Sequence, residues 1–329
     1  MLIDKHGRVV DYLRIAVTDK CNLRCFYCMP EEGIDFVKKA ELLDYEEIIR
    51  LVKLVAKVGV SKIRITGGEP FLRKEIMGLI RSLSRIEGID KIAITTNGTL
   101  THKYLDELVT LGVTSFNLSI DSIDKDRFNE ITRRDYFDQV MECYHLMLSK
   151  NLDLKLNCVV MKDRNIQDII PMVELSKTDD VSIRFIEEMP FNGNGMHFQK
   201  LEWNHNAILD HIKATYPKIN KLKDPQGSTS FNYRVDGFKG SFGIIPAYTR
   251  SFCGSCNRLR LTPNGTIKTC LYDDGIFNIK DLMRAGATDE QLLTSIKEAI
   301  GHKAKDGFEA EQQRKKNPNI SESMASIGG

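Results

Sequence analysis

Residues 11–28 read Asp-Tyr-Leu-Arg-Ile-Ala-Val-Thr-Asp-Lys-Cys-Asn-Leu-Arg-Cys-Phe-Tyr-Cys. The stretch has two parts. In Leu13–Val17 the apolar Leu13, Ile15 and Val17 share one parity and Arg14 points the other way, the pattern of a strand with two unlike faces. Immediately after it, Cys21, Cys25 and Cys28 stand in C-x3-C-x2-C spacing, so the strand delivers three thiols to its end.

The same parity recurs downstream. Strands are predicted at Leu13–Val17, Lys62–Thr66, Lys91–Thr95, Ser115–Ile120, Leu152–Val160 and Val181–Glu187, with helices at Asp44–Val58, Lys74–Ile86, His102–Leu111, Phe137–Ser149 and Ile166–Ser176. The first helix carries acidic residues in its opening turn, and Gly59 follows its end. Six strands separated by crossover helices predict parallel βαβ units. A doubly wound sheet, covered on both faces, should read apolar throughout. Here one face is apolar, whereas the other carries Arg14, Arg64, Thr95, Asn117, Ser119, Lys155 and Asn157. The expected fold class is therefore α/β, a partial (β/α)6 TIM-like barrel whose polar lumen binds an anion. An open sheet with one wet face is the alternative. Regularity fades after about residue 190, where Phe191–Gly195 forms a turn-rich break. The predicted organisation is a partial barrel at 1–190, a mixed region at 191–302 with a hairpin near Phe231–Ile245, and a mobile polar tail at 303–329 ending in Gly328-Gly329.

Across 329 residues, 47 Lys and Arg face 45 Asp and Glu, and this near balance gives no footprint for nucleic acid or an acidic membrane. No stretch of 18 apolar residues occurs, and Met1–Val17 has no apolar signal region, so a cytoplasmic protein is expected. Eight cysteines are too sparse for a disulfide scaffold. Six of them form two triads, and Cys143 and Cys158 fall at core positions.

Three closely spaced thiolates can hold one polynuclear centre. A [4Fe–4S] cluster held by three cysteines instead of four keeps one iron open to an outside ligand. A zinc site completed by His6 is the competing reading of the first triad. The second triad, Cys253-Gly-Ser-Cys256 and Cys270, also lacks a fourth cysteine, and Arg258 and Arg260 between its ligands share one strand face. Paired guanidiniums suit phosphate oxygens. No G-x4-GK[ST] motif is present, so a nucleotide would be held by side chains.

The C-x3-C-x2-C motif with Tyr27, followed by Thr66-Gly67-Gly68-Glu69-Pro70, resembles the radical S-adenosylmethionine superfamily. Arg64–Arg73, Thr95–Thr99, Phe116–Ser122, Lys155–Met161, Arg184–Met189, Phe252–Leu271 and the terminal Ile327–Gly329 extend the likeness along the chain. Within the superfamily, the whole chain is similar to the GTP 3′,8-cyclase family of molybdenum cofactor biosynthesis. That resemblance implies two [4Fe–4S] clusters, on Cys21, Cys25 and Cys28 and on Cys253, Cys256 and Cys270. It places S-adenosylmethionine on Tyr27, Gly68, Ser119 and Met189, and GTP on Arg14, Arg64, Thr95, Lys155, Arg258, Leu259 and Arg260. Arg14, Arg258 and Arg260 take catalytic roles in it, and the terminal Gly-Gly reaches the active site. It further implies a barrel closed by the second-cluster region, a homodimer, an electron donor, and a product passed to the cyclic pyranopterin monophosphate synthase. A peptide-modifying radical enzyme and an iron–sulfur or zinc sensor remain as alternatives.

Overall fold

The structure, a computed structural model, describes residues 1–189, 201–314 and 323–328. The break at Phe191–Gly195, the Lys315–Pro318 stretch and Gly329 lie outside the described residues.

Six parallel strands form the frame: β1 (Tyr12–Ala16), β2 (Lys62–Thr66), β3 (Lys91–Thr96), β4 (Ser115–Ser119), β5 (Asp153–Val160) and β6 (Ser182–Glu187). Each falls within one residue of its expected bounds. The crossovers carry α1 (Tyr45–Ala56), α2 (Ile76–Leu83), α3 (Leu105–Thr110), α4 (Lys125–Thr132), α5 (Phe137–Ser149) and α6 (Ile169–Thr178). A capping box starts α1: Glu47 N donates to Asp44 at 2.7 Å, and Asp44 N donates to the Glu47 carboxylate at 2.8 Å. The sequence reading missed α4, which Asp124 caps by accepting from Arg127 N at 2.9 Å.

The parity argument sets the layers. Leu13, Ile15, Ile63, Ile65, Ile94, Phe116, Leu118, Leu154, Leu156, Ile183 and Phe185 are all buried and pack into the core beneath the helices. Their polar neighbours along the strands face the other way, into the lumen. Cys143 and Cys158 belong to the same core, as their positions suggested.

The second region extends the sheet at both edges. It contributes β7 (Ile219–Lys221), β8 (Phe231–Val235), β9 (Ser241–Ile245), β10 (Arg258–Leu261), β11 (Thr266–Lys268) and β12 (Phe277–Asn278). The hairpin expected near Phe231–Ile245 is β8–β9, and β9 lies parallel to β6. At the opposite edge β10 lies parallel to β1. The order is therefore β12-β11-β10-β1-β2-β3-β4-β5-β6-β9-β8-β7, an open twelve-stranded sheet. It is not closed by strand pairing. A side chain spans the gap instead: Arg258 Nη2 donates to the Gly227 carbonyl, in the loop before β8, at 2.8 Å.

The tail departs from expectation. In its described parts Lys303, Ala304, Ala310 and Ile327 are buried, and Ala304, Ala310 and Ile327 pack with Tyr272 in a separate small core. Arg8 pins its start, donating to the carbonyls of Ala304 and Lys305 at 2.7 Å each.

Candidate active site

One cavity of about 500 Å³ lies on the lumen face, lined from β1 to β6 and by the second region. Both cysteine triads open onto it, and all six cysteines are free of disulfides and half-buried as residues.

The loop after β1 carries the first triad and folds as a tight turn, with the N–H groups of Cys28 and Met29 both donating to the Cys25 carbonyl. Its path is set by the two glycines after β2. Gly68 N donates to the Thr18 carbonyl at 2.7 Å, and Glu69 N to that of Lys20 at 2.8 Å. A Cβ on Gly67 would stand 2.3 Å from the Thr18 oxygen, and one on Gly68 2.3 Å from that of Lys20. These glycines thus let the chain approach its own cysteine loop, a role apart from any ligand. Glu69 is buried and accepts from Asn97 N, Phe71 N and the Thr96 hydroxyl, tying β2 to β3; burial lifts its carboxyl to about 7. Tyr27 donates to Asp121 at 2.8 Å, and Tyr27, Gly68, Ser119 and Met189 all line the cavity.

The second triad opposes the first. Cys253 begins a short turn, Cys256 precedes β10, and Cys270 follows β11, with its N–H held by Asp273 at 2.7 Å. Burial pushes the thiols of Cys21 and Cys270 up to about 11 and that of Cys28 to about 12. Cys25 is pushed well above its ordinary value by burial and by the Asp121 charge, and burial raises Cys253. At Cys256 burial is outweighed by Lys303, Arg258 and Arg260, which bring it down to about 7. Most of these thiols need a cationic centre beside them to ionise, which a metal cluster supplies. Among the described residues no group of three or more His, Cys, Asp or Glu side chains is arranged to hold one metal ion. A cube of irons makes a different demand, each thiolate taking its own iron. The donor set fits two such clusters.

The cations form a grid. Tyr12 sits in register between Arg258 on β10 and Lys62 on β2, and Arg14 between Arg260 and Arg64. Arg64 donates to Thr95 at 3.2 Å. Lys155, paired with Asp153, and Arg184, bonded to Ser230 and Asn232, stand on the far side of the lumen. Burial and the neighbouring Arg260, Arg64 and Arg258 bring Arg14 down to about 9, and burial lowers Arg184 to about 10. Seven Lys and Arg side chains thus line the cavity, against Asp121 as its one carboxylate among the described residues. Such crowding calls for a polyanion. Lys62 and Arg184 were missed in the sequence, although each shares the lumen parity of its strand.

Leu259 faces away from its neighbours. Its side chain is fully buried on the outer face of β10, so only its backbone could meet a substrate. The C-terminal segment, by contrast, does enter the site. Ser323 Oγ donates to the Cys28 carbonyl at 2.5 Å, Met324 and Ala325 line the cavity, and the Gly328 carbonyl accepts from Arg260 at 2.8 Å.

Comparison with known proteins gives the family. The family model of the Radical SAM superfamily matches residues 15–176, and that of Molybdenum Cofactor Synthesis C matches residues 181–308. A GTP 3′,8-cyclase of Clostridium perfringens is 40% identical over 301 residues, spanning 91% of this chain and 92% of its own. The chain belongs to the GTP 3′,8-cyclase family. A mitochondrial family member of Arabidopsis thaliana is 40% identical over 92% of this chain and 78% of its own. Molybdenum cofactor biosynthesis protein 1 of Homo sapiens is 38% identical over 97% of this chain. The chain spans about half the length of that relative and of its counterparts in cattle and mouse. In fold, the chain is similar to Streptococcus suis SuiB bound to S-adenosylmethionine, with a TM-score of 0.61 at 16% identity over 87% of this chain and 67% of that one. No helix among the described residues is long and apolar enough to cross a membrane.

Proposed function

We propose that this chain is a lyase that converts GTP to (8S)-3′,8-cyclo-7,8-dihydroguanosine 5′-triphosphate, the first step of molybdenum cofactor biosynthesis. The observation that carries the reading is the single cavity in which seven cations lie between two thiol triads. Cys21, Cys25 and Cys28 would hold one [4Fe–4S] cluster, and Cys253, Cys256 and Cys270 a second. With S-adenosylmethionine bound, such a pair supplies one-electron cleavage to a 5′-deoxyadenosyl radical, which takes the ribose 3′ hydrogen, and an open iron for the guanine.

The chain's own side chains supply position. Tyr27, Gly68, Ser119 and Met189 line the part of the cavity suited to S-adenosylmethionine. Arg64, Lys62, Thr95, Lys155 and Arg184 form a cradle for the triphosphate, where charge-assisted hydrogen bonds offset its charge without a P-loop. Arg258 and Arg260 stand beside Cys256 of the second triad, and with Arg14, in register with Arg260, they would fix the sugar and base so that the ribose carbon and guanine C8 meet with little motion. Burial of the lumen and the C-terminal segment exclude solvent, which strengthens the electrostatic contacts inside and keeps the radical from other hydrogen donors. An external electron donor, a homodimer, a cytoplasmic setting and onward transfer of the product to the cyclic pyranopterin monophosphate synthase complete the reading.

The test is anaerobic turnover of reduced, reconstituted protein with S-adenosylmethionine. Release of 5′-deoxyadenosine should require GTP, and each chain should carry about eight irons. Release that is indifferent to GTP, or zinc in place of iron, contradicts the assignment.

A further inference from the structure

The grid across β10, β1 and β2 has six lumen-facing positions, five of them cationic. Arg258, Lys62, Arg260, Arg14 and Arg64 surround the sixth, Tyr12. Neighbouring strands lie about 4.8 Å apart, and like charges directly opposite one another destabilise a sheet. At the β10 edge the Cys256 thiol, drawn down against its burial by Lys303, Arg258 and Arg260, is one anion within reach of the grid. Asp121 is bound to Tyr27 and to Val159 N, near the first triad, and Asp11 is turned to Asn257 at 2.6 Å. Asp153 serves Lys155, Lys91 and Ser115. On the β1–β2 side the group in contact with Arg64 and Lys62 is Tyr12.

Tyr12 is placed to act as a further anion there. It is 6% exposed, and its hydroxyl accepts from the charged Arg64 guanidinium through Nε at 2.6 Å. Lys62 Nζ lies 4.5 Å from its ring centroid, and Arg258 Cζ lies 6.0 Å away. Arg64 in turn reaches the Ile94 carbonyl and Thr95, so the phenol fixes one edge of a guanidinium aimed along the lumen.

We propose that Tyr12 is a proton-linked anion of the grid: it releases its hydroxyl proton to solvent in the free protein and takes one back when a nucleoside triphosphate brings its own negative charge. The inference rests on the reading of the cavity as a GTP site. In the free protein burial opposes the phenolate, but Arg64, Arg14, Lys62 and Arg258 outweigh it and bring the phenol down to about 7. A triphosphate among the same cations reverses that balance. Tyr12 is thus a positioning residue, holding Arg64 by Nε whichever charge it bears.

The experiment is isothermal titration of the cluster-loaded protein with GTP, without reductant, in Hepes and in Tris at matched pH. At about pH 8.5 wild type should take up about one proton per GTP bound, and its Kd should rise about tenfold per pH unit between about pH 7.5 and 8.5. Tyr12→Phe should take up none, with a nearly flat Kd over the same range. Equal uptake in the variant, or a flat wild-type Kd with no uptake, overturns the inference and leaves the GTP site standing. Absence of GTP binding at every pH overturns both. The wild-type series decides the matter even if Tyr12→Phe fails to load its clusters.

Discussion

Arg260 Nη1 donates to the Gly328 carbonyl at 2.8 Å, across 68 residues of chain, and Arg14 Nη2 reaches the same oxygen at 3.4 Å. The C-terminal segment is thereby fastened to β10 and β1, two of the three strands that carry the cation grid. Gly328 has φ +71°, and a Cβ there would lie 2.9 Å from that of Ala16 and 3.0 Å from Thr66 Cγ2.

Gly328→Val should therefore displace the segment from both arginines. The expected outcome is a fall of about ten- to hundredfold in turnover, with iron content and melting temperature near wild type. Loss of iron together with activity would make the segment a structural clamp on the clusters instead.

Arg258→Ala and Arg260→Ala each remove a charged donor from the lumen. GTP binding should weaken by about ten- to a hundredfold in each, with iron unchanged, since a hydrogen bond to a charged group contributes about 1.5–3 kcal/mol. Titration with GTP and iron analysis on the same samples check this.

Glu187 is fully buried and accepts from the N–H groups of His205, Tyr248 and Thr249 and from the Thr249 hydroxyl. It joins the end of β6 to the chain leading into the second triad. Glu187→Ala leaves these buried donors without their acceptor and should cost about 3 kcal/mol, seen as a lower urea midpoint.

Arg8 ties the N-terminal hairpin to the second triad, donating to Asp4 at 2.6 Å and to the Cys253 carbonyl at 3.0 Å. Arg8→Ala should lower iron from about eight toward about four per chain while sparing the first triad. Burial of Asp4 is outweighed by hydrogen bonds from Arg8 and His6, which hold its carboxyl below its ordinary 3.8. A carboxyl lowered in the folded state stabilises above its unfolded value and loses that contribution as pH falls through the folded one. Asp4→Asn should thus be less stable than wild type at neutral pH, and the gap should close only below about pH 4, in denaturation series at both pH values.

Local patterns were legible where period and neighbours agree. Ile63 and Ile65 against Arg64 place both faces of β2, and the Asp44–Glu47 pair starts α1. Helix α4 was hidden because Lys125–Thr132 is mostly polar and buries only Phe128, Ile131 and Thr132, although Asp124 was an available cap signal. The addition of β9 to β6 and of β10 to β1 joins segments far apart in sequence, which no local period encodes. Arg184 shares parity with the lumen face, but its partners Ser230 and Asn232 come from that distant hairpin. The tail read as loose because it is polar. The order of its described parts comes from Ala310, Ile327 and carbonyls that reach Arg8 and Arg260.

The central claim is that one cavity brings GTP and a 5′-deoxyadenosyl radical together with the ribose 3′ carbon at the point of attack. Turnover of GTP carrying deuterium at C3′ tests it most directly, with the released 5′-deoxyadenosine analysed by mass. The account predicts a single deuterium in the 5′-deoxyadenosine and a cyclised guanosine triphosphate as the other product. Unlabelled 5′-deoxyadenosine, formed at the same rate with or without GTP, would contradict it.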